Sequence, residues 1–158
     1  MSAPATPSVG RPATRRDLAV RLLVAGGPAN RPAANLALLA GAGLMVWSAV
    51  VHLHLWSTGY RRIPTIGPLF LLQGISAVVL AVVVAAFRRV WASVAAFGFV
   101  ASTIGGFLLS VNVGLFGFTD SWAAPFAAMA LWVEVSALAF LATGAALCLR
   151  RRPGGAQV

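Results

Sequence analysis

Lysine is absent from this chain and acid is nearly so. Its 158 residues hold 12 arginines against two aspartates and one glutamate. Charged residues make up 9% of it, where a soluble domain carries about a quarter, so there is too little charge to coat a water-facing surface. That argues against a soluble globular enzyme. The single cysteine, Cys148, allows no intrachain disulfide, no cysteine-based zinc site and no dithiol redox centre. Long apolar runs argue equally against collagen, a coiled coil and a disordered chain.

What is present is apolar: 59% hydrophobic residues and a mean hydropathy of +0.88. A bilayer core of about 30 Å needs roughly 20 apolar residues to cross it as a helix. Four stretches qualify, 36–56, 66–87, 91–116 and 122–149, and none contains arginine. Runs such as Ala77-Val78-Val79-Leu80 do not alternate as barrel strands do, and backbone in lipid must bond internally. The expected fold is all-α, a four-transmembrane-helix bundle. Gly59 and Pro64 break the chain after the first span, Arg88-Arg89 after the second, and residues 117–121 after the third. Asp120 or Ser121 is the expected cap of the fourth helix, with Pro125 in its first turn. Residues 1–35 read as a basic, Pro- and Arg-rich tail, partly disordered, and 150–158 as a basic C-terminal tail. Residues 17–24 are either a short helix on the membrane surface or part of a solvated tail. The short apolar patch there, followed by Gly26-Gly27-Pro28, makes a poor signal peptide.

Ten of the 12 arginines fall at the N-terminal segment, the second turn and the C-terminal end, leaving Arg61 and Arg62 on the other side. Positive charge stays in the cytoplasm, so both termini are expected there, in a multi-pass protein of the cell (inner) membrane. The net charge of +9 then reads as topology plus attraction to anionic lipid at the cytoplasmic face, not as a nucleic-acid site.

The unusual polar residues gather in the outer half: His52, His54, Tyr60, Arg61, Arg62, Gln73, Asn112, Asp120 and, deeper, Glu134. At about 100° per residue His52 shares a face with Ala37, Gly41, Met45 and Ser48, while His54 points elsewhere, so the two are not a metal clamp. Glu134 has no arginine in any span to neutralise it, and a charge near the midplane is expensive. It should face the bundle interior as a neutral acid, near Gln73, His52 or Asn112. In 91–116 the small residues Gly98, Ser102, Gly106, Ser110 and Gly114 recur every fourth position, the spacing of a close helix contact, within the chain or with a second copy. A faint internal repeat sets His52 to Gln73 against Asn112 to Glu134.

The segment His52-Leu53-His54-Leu55-Trp56, continued by Gly59-Tyr60-Arg61-Arg62-Ile63-Pro64-Thr65-Ile66-Gly67-Pro68-Leu69-Phe70-Leu71-Leu72-Gln73, resembles the signature of an uncharacterised family of small four-helix bacterial membrane proteins. The resemblance implies fold and location; it brings no activity or cofactor. Three function classes follow, in this order: a structural or accessory subunit whose polar cluster docks a membrane-protein partner or second copy; a small proton-coupled transporter using Glu134; and a haem, copper or quinone redox subunit using His52 or His54. No cofactor is assigned, and haem and copper stay open. The arginine asymmetry predicts that, in intact cells, an impermeant thiol reagent labels Thr58→Cys and spares Ser2→Cys. Labelling only at position 2 would invert the topology.

Overall fold

Helices pack in lipid without a hydrophobic drive, so close backbone approach and dispersion must hold them. The computed structural model, which describes residues 14–25 and 31–150, meets that demand between α2 (Pro32–Thr58) and α5 (Ala127–Leu149). The two run antiparallel and interlock reciprocally: Leu38 seats over Gly144, and Leu141 seats over Gly41. A Cβ on Gly144 would lie 2.5 Å from Leu38 Cδ2, and one on Gly41 3.0 Å from Leu141 Cγ. Both leucines are fully buried. The same register continues in both directions, burying Ala34, Met45, Ala137 and Cys148 along one seam.

The remaining spans, α3 (Ile66–Phe87) and α4 (Val90–Asn112), complete an up-down-up-down bundle in which α3 packs on α2 and α4 on α5. Leu53 of α2 fills the space over Gly74 of α3, where a Cβ would stand 2.6 Å from its Cγ. Buried Ser93 of α4 donates to the Leu141 carbonyl of α5 at 2.7 Å. These four helices are long and apolar enough to cross a membrane, and less than half of each apolar window is buried inside the chain. Faces carrying Leu36, Val82 or Trp132, each at least 60% exposed, need lipid around them.

One end of the bundle is rich in arginine. Arg31, just before α2, reaches the last turn of α5 and donates to the carbonyls of Leu147 and Cys148, both at 2.7 Å, and to that of Arg150. It thereby satisfies carbonyls that a helix C-terminus leaves unpaired. The helix α1 (Arg15–Leu23) is capped by Thr14 and Asp17 in a capping box and is exposed along its length. It ends at the same place: Val90 donates its backbone N–H to Ala25, and Arg89 its Nη1 to the Val24 carbonyl. The expected disorder before Thr14 and the expected tail beyond Arg150 lie outside the described residues.

Two expectations are corrected. The third span stops at Asn112, because Gly114 terminates it from the left-handed region (φ 89°), its N–H donating to the Leu109 and Ser110 carbonyls. The fourth begins at Ala127, not 122. Pro125 disfavours helix at Ala124, and Ser121 caps only a local turn through Ala123 N–H. Among the described residues the small-residue stripe of α4 also makes no tight helix contact. Gly98 is exposed, and an added Cβ at Gly98 or Gly106 meets nothing within 4 Å; of the stripe only Ser110 is buried.

Substitution should separate the two kinds of glycine. Gly144→Ala overpacks the seam and is expected to cost about 1–3 kcal/mol. Gly98→Ala meets open space and removes the entropic penalty of a helical glycine, roughly 0.5–1 kcal/mol. Thermal unfolding in detergent should fall for the first and hold or rise for the second.

Candidate functional site

Seven residues along α2 from Gly41 stands Ser48, and seven residues back along α5 from Leu141 stands Glu134. The register that seats the leucines therefore brings these two together: Ser48 Oγ donates to Glu134 Oε1 at 2.8 Å, both groups buried. One turn further, His52 Nδ1 lies 2.9 Å from the Ser48 carbonyl. A carbonyl only accepts, so Nδ1 carries the proton and Nε2 is the acceptor of the neutral ring. This is not a hydrolytic arrangement. Ser48 gives its proton to the carboxylate side, not to the imidazole, and is 4% exposed, out of reach as a nucleophile.

Beyond this cluster the bundle stops being solid. A cavity of about 300 Å³ lies among all four spans, at the size where ligand pockets begin. His52 of α2, Phe70 and Gln73 of α3, and Ala130 and Glu134 of α5 line it. From α4 come Thr103 and Phe107 with Ser102, Gly106 and Ser110. The short side chains of that stripe thus leave room for the cavity where they were expected to make a helix contact.

The end of the cavity away from Arg31, Arg88 and Arg89 is built by loops. After Gly114 the chain makes a two-residue reverse turn between Leu115 and Phe118, whose backbones exchange bonds at 2.7 and 2.9 Å. Its central residues, Phe116 (φ 53°) and Gly117 (φ 78°), are both left-handed, as a type I′ turn requires. Phe118 is thereby set edge-on to Tyr60, with ring centres 5.9 Å apart, while Tyr60 stacks on Phe70 at 4.4 Å. Asp120 donates its backbone N–H to Ser110 Oγ. Both Thr65 and Phe126, which precede α3 and α5, have φ 65°. A left-handed β-branched residue is costly, and such strain gathers where surrounding structure holds a site in shape.

The expected polar residues separate into two sets. His52, Tyr60, Gln73, Asp120 and Glu134 converge on the cavity. His54 is exposed and set edge-on to Phe126, Arg61 and Arg62 are exposed, and Asn112 faces out, bonded to its own helix at Leu108. Asn112 is therefore bonded within its own helix and is not among the residues that line the cavity with Glu134. Glu134 lies seven residues into its helix, about 10 Å along the axis, because α5 starts late. Missed as site residues were Ser48, Phe70, Phe107 and Phe118. Ser48 was visible on the His52 face, but its partnership with Glu134 needed the α2–α5 register. Among the described residues no three His, Cys, Asp or Glu side chains group as metal ligands.

No family model, curated protein or solved structure matches the chain. What stands of the first-loop resemblance is its coarse content, the four long apolar helices of a small multi-pass membrane protein.

Tyr60 is the only tyrosine, so its phenol can be followed by absorbance. Burial pushes it above its ordinary value of 10, and the Asp120 carboxylate adds to the rise. The phenol should ionise above pH 10, and Asp120→Asn should move it part of the way back. An unshifted titration in both proteins would place Tyr60 in bulk water.

Proposed function

We propose that this integral membrane protein binds a small, largely apolar molecule in the cavity beside Glu134, as a carrier or receptor. One observation carries the reading. The α2–α5 seam is packed until glycine meets leucine, yet beyond it the bundle leaves about 300 Å³ unfilled next to a buried carboxyl. An unfilled space forfeits dispersion contacts, and an intramembrane acid is costly and usually functional. Both expenses fall at one place, framed by strained loops. A purely accessory subunit needs neither. The arginine asymmetry supports cytoplasmic termini, with α1 lying on anionic lipid through Leu18 and Leu22 and its arginines.

The test is photolabelling in lipid nanodiscs with a small aromatic diazirine, 3-trifluoromethyl-3-phenyldiazirine. Lipid-facing Trp132 reports the bilayer and Glu134 the cavity. Adducts are expected on both in the native protein. Gly106→Leu, whose side chain enters the cavity, should abolish the Glu134 adduct and leave Trp132 and the melting temperature unchanged. Labelling of Trp132 without Glu134 in the native protein would overturn the reading.

A further inference from the structure

The charge on the cavity wall is the reverse of the charge on the chain. Arginines outnumber acids 12 to 3, yet two of the three acids, Asp120 and Glu134, line the cavity, and among the described residues no arginine does. Basic residues are close by, since Arg61 and Arg62 directly follow Tyr60, a lining residue, but they stay exposed outside. Glu134 is 4% exposed, and among the described residues its carboxyl meets one neutral donor, the Ser48 hydroxyl, and no cation. The third titratable neighbour, His52, has its Nδ1 proton committed to the Ser48 carbonyl, so the neutral ring adds an acceptor. Around these groups the wall is aromatic: Tyr60, Phe70, Phe107, Phe118 and Phe126. Ring faces attract cations, most strongly where water is excluded.

Resting on the cavity reading above, we infer that the ligand is an organic cation, an ammonium-type head on a small aromatic or branched apolar body. The head sits against Glu134, deep in the cavity, where the carboxyl, neutral in the empty cavity, releases its proton to water as the ion pair forms, and the body fills the aromatic wall toward Asp120. Neither the Coulombic nor the aromatic part suits an anion, which would meet two carboxyl side chains and a wall of five aromatic residues.

Three water-soluble probes of one shape and different charge decide it: benzyltrimethylammonium, neutral benzyl methyl sulfone, and phenylmethanesulfonate. Binding to the full chain in nanodiscs is measured by equilibrium dialysis, with Gly106→Leu nanodiscs as the blank for lipid and surface uptake. The cation should bind at least tenfold more tightly than the sulfone, and the sulfonate least. Glu134→Gln keeps an acceptor for Ser48 and should bring the cation down to the level of the sulfone. Asp120→Asn, farther out in a loop, should weaken the cation by a smaller factor, which keeps the test intact if the Glu134 variant misfolds. Equal binding of cation and sulfone, or a preference for the sulfonate, overturns the cation inference and leaves the cavity reading standing. Binding of no probe above the blank, together with no Glu134 photoadduct, overturns both.

Discussion

The contact on which the rest depends is the reciprocal seating of Leu38 over Gly144 and Leu141 over Gly41. It draws α2 and α5 together to a distance that only glycine permits. Because helices are regular, a register set there is inherited at every later turn. It decides that Ser48 faces Glu134, and through Ser48 where His52 is held. In water such a seam would be one contribution beside the hydrophobic effect. In lipid, where an exposed leucine loses nothing, shape and hydrogen bonds have to supply the specificity. Ser93 bonding to the Leu141 carbonyl shows the same economy, since a seam residue also anchors α4.

The bundle divides into a packed half and a hollow half, and helix phase explains the division. On α5 the buried positions run Glu134, Ala137, Leu141, Gly144 and Cys148, so one stripe carries both the seam and the acid. On α4 the buried residues crowd toward its start, Val90, Ala92, Ser93, Ala96 and Val100, before small residues take over. The loop after Gly114 then folds Phe118 and Asp120 over the opening those residues leave. Polar groups that lipid would reject are thereby gathered where protein surrounds them.

Much of this was legible in the sequence, for reasons that also set the limit. Span number and class follow from apolar run length, a one-dimensional property. The inward direction of Glu134 follows from the cost of exposing it to lipid. The face shared by His52, Gly41, Met45 and Ser48 follows from phase, and the structure places the last three in the interior. Pairings between helices did not follow. The stripe from Gly98 to Gly114 has better spacing than Gly41 or Gly144, yet a small residue makes a close contact only if a neighbour offers a knob, and that neighbour lies outside the pattern. Gly114 shows the same limit, since left-handed termination and packing place the same residue in a sequence. The cavity was illegible because it is made of what side chains leave out.

Arg31 ties the start of the first span to the end of the last. The most intimate neighbour of α2 is thus the span synthesised farthest from it. As the chain emerges, Gly41 and Ser48 must wait through two complete hairpin legs for their partners, exposed to lipid in the meantime. Assembly is then a late, closing event: the ring of helices shuts only when α5 enters it, and a chain cut short before α5 keeps α3 against its first helix but lacks the partner that sets the Ser48 register.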